Sequence, residues 1–433
     1  MSVTTLERAR ATGLLEGGGF LHDPRVKKIF ATLDGDGEET RVVGGAVRDA
    51  LLGVPVHEID FATTATPGVM LARAAAAGLR TIPTGVEHGT VTFLVDGEPF
   101  EVTTLREDVE TDGRRARVRF GRSFEQDALR RDFTINALSV AADGTLHDYA
   151  GGLADLAARR VRFIGEARQR ISEDYLRSLR FFRFHAARGG ETMDREAFDA
   201  IVAERAGLLT LSRERIHAEL FKMLIADRAA AVAADMSGAG LLLPLLGGVD
   251  RPARLARVAA IEAARDEAAD ATLRFIALCV TTGEDAKRLR DLLRLSNHEA
   301  SRARAAANAR AGLHGREAPP SPRELYALLY RHGRQGARDA LTLAHAESLA
   351  KPDDAGWLSA WRFLRDTPEP RLPFSGADIM TRGVPAGAEV GRILKRLQAA
   401  WIRAGFPKAP ASLARLLDEA IAGGTPRGGG DAL

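Results

Sequence analysis

The sequence predicts a small α/β head followed by a long all-helical remainder. Segments with apolar residues at every second position, typical of strands, occur only in the first third of the chain. From about Glu166 onward, apolar residues recur at the spacing of helices instead. At 433 residues the chain is too long for one core, so several domains are expected.

The head begins with elements that can be predicted one by one. In chain order they are a strand, two helices and two further strands, at residues 41–43, 46–52, 67–77, 90–95 and 100–104. Thr66-Pro67 is an N-cap followed by proline at the first helical position. Asp96-Gly97 between two alternating segments predicts a hairpin. The sheet is therefore expected to be small and mixed or antiparallel.

Glycine- and proline-rich breaks divide the helical remainder. The predicted domains are a head over 1–165 with a helical extension at 1–30, then helical segments over 166–235, 236–365 and 366–433, the last with a disordered Gly-rich end.

Composition limits the functional classes. Hydrophobic residues make up 45% of the chain and charged residues 27%, as in ordinary globular proteins. No apolar run reaches the roughly 18 residues that span a bilayer, and no signal peptide is evident, so no membrane partner is expected. The single cysteine, Cys279, is expected in the core, and a reducing cytoplasm is the expected compartment. Abundant arginine suits phosphate, but GC-rich codons also produce arginine, so composition does not establish nucleic-acid binding.

A glycine pair that leaves a strand and opens a helix points to an anion site. Gly44 and Gly45 expose backbone N–H groups at the start of the helix, and Arg48 lies in its first turn. Phosphate would suit both features. Most such pairs are simply turns, so this signal is weak alone.

Acidic residues follow in a strand pattern. Glu58 and Asp60 alternate around Ile59, which predicts both carboxylates on one face. Glu101, at the start of a hairpin strand, is the candidate third acid. Together they could hold Mg²⁺ in a two-metal site for phosphoryl transfer. The alternative is that all three are solvated edge charges.

Two later segments combine arginine with acidic or amide side chains. In the first, residues 130–137, polar side chains could hold ribose and phosphate while Phe133, Ile135 and Ala137 build the core. The second, residues 173–183, is predicted to be one helix, with a ridge of Leu176, Leu179 and Phe182 that is expected to be buried. A second ridge either faces solvent or reads a nucleobase, and its members are Asp174, Arg177, Arg180 and Arg183.

These motifs together resemble the class II tRNA nucleotidyltransferase and bacterial poly(A) polymerase family of the polymerase β superfamily. The matching blocks lie in order at residues 44–60, 130–138, 148–156, 173–177 and 212–222. The resemblance implies a seahorse-like protein of α/β head and all-α neck, body and tail. It also implies tRNA as partner, CTP and ATP as substrates, and addition of CCA to the tRNA 3′ end.

The resemblance assigns roles to individual residues. It implies that Glu58, Asp60 and Glu101 are the catalytic metal ligands, with Mg²⁺ as cofactor and Mn²⁺ as an alternative ion. Two metal ions would support in-line attack of the tRNA 3′-hydroxyl and departure of pyrophosphate. The implied nucleotide-binding residues are Gly44, Gly45, Arg48, Arg131, Asp132, Asn136, Asp174, Arg177, Arg180 and Arg183. The family's metal motif is Asp-x-Asp, so Glu58 is a departure from it.

Close relatives with other activities remain as alternatives. Residues 105–124 resemble the flexible loop that CC-only enzymes lack, which favours full CCA addition. The basic-aromatic signature of bacterial poly(A) polymerases is missing at residues 117–122. Besides poly(A) synthesis, a tRNA-binding relative impaired in catalysis by the Glu58 change stays open. No C-terminal His-Asp pair supports a phosphohydrolase domain, and Lys395 with Arg396 could contact tRNA phosphate.

Overall fold

A seven-stranded sheet forms where the alternating segments predict strands. The computed structural model describes residues 19–107 and 119–423 of the chain. The strands pair in the order β3-β4-β5-β2-β1-β8-β9. Their bounds are β1 Thr40–Val43, β2 Asp60–Thr63, β3 Arg80–Gly85, β4 Thr90–Val95, β5 Glu98–Thr104, β8 Ser139–Ala141 and β9 Leu146–His147. Among the strands of the described residues, only β2 and β5 pair in parallel and the other pairs are antiparallel, so the predicted mixed sheet is confirmed.

The predicted hairpin joins β4 to β5. Val95 pairs with Glu98, and the two residues between them, Asp96 and Gly97, have φ angles of 53° and 87°. Positive φ at both central positions is the geometry of a type I′ turn, which matches the right-handed twist of the strands. The Asp-Gly pair therefore fixes the register of β5, including the position of Glu101.

The chain divides into two units, residues 1–232 and 233–433. The first unit holds the sheet and nine helices among its described residues, together with a second sheet of β6 Arg106–Glu107 and β7 Arg119–Phe120. The helices are α1 Pro24–Leu33, α2 Gly45–Leu51, α3 Pro67–Ala76, α4 Phe124–Leu129, α5 Gly152–Ala157, α6 Ala167–Glu173, α7 Leu176–Arg188, α8 Arg195–Ala203 and α9 Arg213–Leu224. The predicted helical extension at 1–30 lies partly outside the described residues, and the finer division into four domains stays a prediction.

The matched block at residues 148–156 acts structurally. Asp148 accepts hydrogen bonds from the backbone of Gly152 and Leu153 at 2.9 Å each, which caps α5. Asp155, fully buried, accepts a 2.6 Å bond from the hydroxyl of Thr134. A Cβ on Gly152 would lie 2.3 Å from the carbonyl oxygen of Thr134, so no side chain fits there. These contacts fix the segment that carries the polar residues 130–137.

The second unit is helical throughout the residues that the structure describes. Its helices are α11 Leu242–Leu246, α12 Pro252–Ala264, α13 Ala271–Cys279, α14 Gly283–Leu293, α15 Asn297–Ala311, α16 Pro322–Glu347, α17 Ala355–Asp366, α18 Gly376–Met380, α19 Ala388–Arg403 and α20 Pro410–Ala422; helix α10, Ala229–Gly238, contains the boundary between the units. Gly333, with φ of 66°, breaks α16 into two parts. Cys279 is buried, as predicted, and burial raises the pKa of its thiol.

An ion-pair triad in this second unit is centred on Arg302. Arg302 donates to Asp339 at 2.8 Å through Nε and to Asp270 at 2.6 Å through Nη2. Asp339 is 1% exposed, so its charge depends on this partner. No helix within residues 19–107 and 119–423 is both apolar and long enough to cross a bilayer.

Candidate active site

The glycine pair forms the turn between β1 and α2. Gly44 has φ of 71° and ψ of −122°, a conformation that side chains disfavour, and its N–H donates to Leu138 O at 2.9 Å. A Cβ at Gly44 would lie 3.1 Å from Nη1 of Arg131. Glycine is thus required both for the turn and for the close approach of this arginine.

Two of the three predicted acids lie side by side. Phe61 pairs with Val102 in the parallel β2–β5 ladder, so the preceding residues, Asp60 and Glu101, are level on neighbouring strands. Both line a cleft of about 1470 Å³ and an adjoining cavity of about 260 Å³. The acid pair therefore stands at the wall that the two spaces share.

Glu58 does not lie on the strand as predicted. Strand β2 begins at Asp60, and Glu58 belongs to the irregular segment before it. Val43 is the last pairing residue of β1 opposite Asp60, because the chain turns at Gly44. On the β1 side no partner remains for Ile59 or Glu58, and the ladder with β5 begins only at Phe61 and Val102, so the alternation does not extend to them. Glu58 still lines the larger cleft with Asp60 and Glu101.

The electrostatics of Asp60 reflect its acidic neighbours. Solvent reaches Asp60 through the cleft, but surrounding protein atoms remove part of its hydration. This burial, followed by the charges of Glu101 and Glu58, raises the pKa of Asp60, while Arg131 acts in the opposite direction. Without a bound cation, the negative charge of Asp60 and its acidic neighbours is therefore not fully balanced by protein groups.

The donor chemistry suits a divalent cation. Within residues 19–107 and 119–423, no three His, Cys, Asp or Glu side chains form a preformed metal cluster. Mg²⁺, however, usually takes only one or two protein carboxylates and completes its shell with phosphate oxygens and water. Asp60 and Glu101 meet that requirement, and a cation would relieve their repulsion.

Arginines surround the smaller cavity. Arg106, Arg130 and Arg131 line it together with the acid pair. Arg131 donates to Asp127 at 3.2 Å through Nη2 and to Asn136 O at 3.3 Å through Nη1. Burial and the nearby Arg130 lower the pKa of Arg106. This side of the acid pair is thus cationic.

Asp127 is a site residue that the sequence analysis missed. It is 4% exposed and accepts hydrogen bonds from both Arg130 and Arg131. Its position three and four residues before these arginines, at the end of a short helical segment, was the available signal. Asp127 orients both guanidinium groups toward the cavity.

Four predicted nucleotide-binding residues bond to one another. Arg48, 7% exposed, donates to Asn136 Oδ1 at 2.6 Å, and Asn136 Nδ2 donates to Asp132 Oδ1 at 3.1 Å. Arg180 Nε donates to Asp132 Oδ2 at 2.6 Å. The structure thus brings together residues from three separate motifs.

Another arginine of the ridge, Arg183, has a different partner. Arg183 donates to Glu219 at 2.5 Å, and its guanidinium lies 4.0 Å from the ring centre of Phe184. Burial lowers the pKa of Arg183, against the charge of Glu219.

The predicted continuous helix over 173–183 is wrong. Helix α6 ends at Glu173, Asp174 has extended backbone angles, and α7 begins at Leu176. Asp174 instead stabilises the start of α7, because its Oδ1 accepts a hydrogen bond from the backbone N–H of Leu176 at 3.1 Å. The apolar ridge of Leu176, Leu179 and Phe182 is buried, as predicted.

The helix break also changes the contacts of the predicted base-reading pair. Asp174 accepts a 2.8 Å hydrogen bond from Arg215, on α9. Arg177 bonds to Glu173 and to Arg170 O. Asp174 and Arg177 are thus neighbours with separate partners, and Arg215, within a matched block, is a further site residue without a predicted role.

The comparisons with known proteins agree with this geometry. Residues 40–162 match the family model "Poly A polymerase head domain", and residues 192–251 match "Probable RNA and SrmB- binding site of polymerase A". An acid pair on a mixed sheet beside arginines, within that head domain, defines a nucleotidyltransferase of the polymerase type. Family membership implies use of a divalent metal ion.

Relatives that match most of the chain identify the family. CCA tRNA nucleotidyltransferase 1, mitochondrial, of Mus musculus is 36% identical over 385 residues, which cover 88% of this chain and 87% of that protein. Its Danio rerio counterpart is 35% identical over 376 residues, covering 85% and 84%. The structure of the Bacillus stearothermophilus CCA-adding enzyme in complex with CTP has a TM-score of 0.72 at 28% identity, covering 92% of this chain and 98% of that one. The chain belongs to the CCA tRNA nucleotidyltransferase family.

Proposed function

We propose that this enzyme adds CCA to the 3′ end of tRNA, using CTP and ATP and releasing pyrophosphate. One observation carries the proposal: the chain aligns over 88% of its length with a CCA tRNA nucleotidyltransferase. The geometry supports it, because Asp60 and Glu101 lie between an arginine-lined cavity and a larger cleft. A nucleoside triphosphate suits the arginine side, and the tRNA 3′ end suits the cleft.

We infer that Asp60 and Glu101 hold Mg²⁺, with Glu58 facing the same cleft. When bound, the metal would supply Lewis acidity that makes the attacking 3′-hydroxyl more acidic and would neutralise charge on the phosphates. Mn²⁺ offers similar oxygen preference and is the alternative ion.

The chain's other residues bind and orient the nucleotide. Arg131, beside both Gly44 and the acid pair, is placed to contact phosphate oxygens. Asp174 and Arg177 are proposed to read the base edge, with Arg215 holding Asp174 in place. Arg48, Asp132, Asn136 and Arg180 are bonded to each other, so we assign them to orienting the site around the nucleotide.

Incubation with tRNA lacking its CCA end, with CTP, ATP and Mg²⁺, tests the function. Incorporation of two C and one A is the expected product. A long A-only tail would indicate a poly(A) polymerase, and two C without A would indicate a CC-adding enzyme. Binding of tRNA with no incorporation would favour the catalytically impaired relative.

We also propose a cytoplasmic location. A single buried cysteine is consistent with a reducing compartment. Because two of the relatives are mitochondrial by name, tagging of the full chain and fractionation of its cell of origin is the direct test.

A further inference from the structure

A continuous series of hydrogen bonds leaves α7, crosses the head and returns to α7. It starts at Arg180, passes through Asp132, Asn136 and Arg48 as described above, and continues to Asp49. Asp49 accepts from Arg48 at 2.8 and 3.0 Å, and from Arg188 at 2.9 and 3.2 Å. We name these six residues, Arg180, Asp132, Asn136, Arg48, Asp49 and Arg188, the polar bridge.

The two ends of the polar bridge fix α7 at two points. Arg180 and Arg188 are eight residues apart, or about 12 Å along a helix. Between them, Phe184 packs against the guanidinium groups of Arg48 and Arg180, at 5.1 and 5.3 Å from its ring centre. One attachment would still let the helix pivot, whereas two attachments and a buried ring restrict both sliding and rotation.

Asp49 is the junction of this arrangement. Its side chain is 16% exposed, and each of its two carboxylate oxygens accepts one hydrogen bond from Arg48 and one from Arg188. Burial opposes its ionisation, but these bonds prevail and lower the pKa of Asp49. Asp49 is therefore a fixed anion that joins α2, directly after the Gly44 turn, to the last residue of α7.

Asp49 and Arg188 are placed to act through other residues. In the part of the chain that the structure describes, neither lines the cleft or the cavity beside Asp60 and Glu101. They hold Arg48 and α7 instead, and α7 carries Arg177. The elements that they join bear the triphosphate side and the base side of the proposed nucleotide site.

We propose that Asp49 and Arg188 are positioning residues for the nucleotide, which hold α7 in register with the Gly44 turn so that base and phosphate contacts form together. The proposal rests on the proposed function. Misplacement of a bound group by about 1 Å can reduce the rate by ~100-fold. Loosening the polar bridge should therefore weaken nucleotide binding and selection more than it affects folding.

The test compares Arg188→Gln and Arg188→Lys in the full-length enzyme. Arg188→Gln removes the bidentate bond to Asp49, and we expect the KM for CTP and ATP to rise about 10-fold and UTP incorporation to increase. Arg188→Lys keeps one charged contact and should restore part of the loss. Arg195→Gln is the matched control, since Arg195 is 84% exposed and forms an ion pair with Asp199 on the surface of α8. It should match the wild type.

A second variant and a binding measurement separate the possible failures. Asp49→Asn retains the size of the side chain and should reproduce the rise in KM. Calorimetric titration of each variant with CTP measures nucleotide affinity even if the enzyme does not extend tRNA. Wild-type inactivity with CTP binding weakened in Arg188→Gln would reject the proposed function and keep the positioning role. Kinetic and binding constants within twofold of wild type, with or without a lower melting temperature, would reject the positioning role.

Discussion

Asp60 and Glu101 are level on neighbouring parallel strands, and the charge of Glu101 contributes to the raised pKa of Asp60. Two carboxylates this close stabilise a cation between them, but their mutual repulsion destabilises the metal-free protein. The same pair should therefore lower the stability of the metal-free enzyme and increase its affinity for a cation.

Neutralising either acid should reduce activity without reducing the stability of the metal-free enzyme. Asp60→Asn and Glu101→Gln are expected to reduce nucleotide incorporation at least ~100-fold, because the metal loses an anionic ligand. Their melting temperatures without Mg²⁺ should equal or exceed that of the wild type, since repulsion is removed. Mg²⁺ should raise the melting temperature of the wild type more than that of either variant. A loss of activity accompanied by unfolding would contradict this expectation.

Glu58→Gln should have a smaller effect than either of these changes. Glu58 lies outside β2, and Asp60 with Glu101 already provides the two carboxylates that Mg²⁺ commonly takes. Incorporation measured at increasing Mg²⁺ should show a higher Mg²⁺ requirement with little loss at saturation. A defect as deep as that of Asp60→Asn would make Glu58 an equal ligand.

Substitution of the proposed base-reading residues should relax nucleotide selection. Asp174→Ala or Arg177→Ala removes hydrogen-bonding groups from the base edge, and the ratio of kcat/KM for CTP over UTP should fall by about 100-fold or more. Asp199→Ala, on the exposed face of α8, is the control. If the ratio stays unchanged while both kcat/KM values drop together, these residues bind without selecting.

Acid should destabilise the first unit through His185. This histidine is 1% exposed, and burial, together with Arg228, lowers its pKa to about 4. Below the unfolded-state value of 6.5 the unfolded chain binds the proton first, so stability falls as pH drops from 6.5 toward 4. The loss could reach about 3 kcal/mol. Denaturant unfolding at pH 7.5 and 5 should show a smaller pH effect in His185→Leu, and an equal effect would assign it to other groups.

Removing Arg302, the cation of the triad in the second unit, should lower the stability of that unit. Arg302→Met leaves Asp339 buried without its cation, and we expect a loss of about 3–5 kcal/mol in the free energy of unfolding. Arg302→Met combined with Asp339→Asn should recover part of that loss, because the uncompensated charge is gone. Urea denaturation of the single and double variants measures both. Equal losses in the two would show that packing, not charge, dominates.

Local chemistry made much of the head predictable. The Asp-Gly turn fixed the β4–β5 hairpin, and the Gly44 turn and the buried ridge of α7 followed from residue type and periodicity. The partners of individual side chains were harder to predict. Asp174 was expected to continue a helix, and only the three-dimensional contact with Arg215 explains its place at a helix break.

Non-local register limited the site prediction. The alternation at Glu58 and Asp60 was read as one strand, because spacing along the chain cannot reveal that β1 offers no partner beyond Val43. Asp49 and Arg188 are 139 positions apart, and no local pattern connects them. The loop at 105–124 was expected to be flexible; its described ends pair as β6 and β7, while its polar stretch at 111–115 lies outside the described residues.

Cys279 makes the chain convenient for spectroscopic labelling. The only thiol of the protein is buried on α13, donates to Phe275 O, and resists ionisation because its pKa is raised. Maleimide dyes should therefore leave the native enzyme unmodified. A cysteine introduced at one exposed position would therefore be the single reactive thiol, and a dye attached there would report local changes on nucleotide or tRNA binding without removal of any native residue.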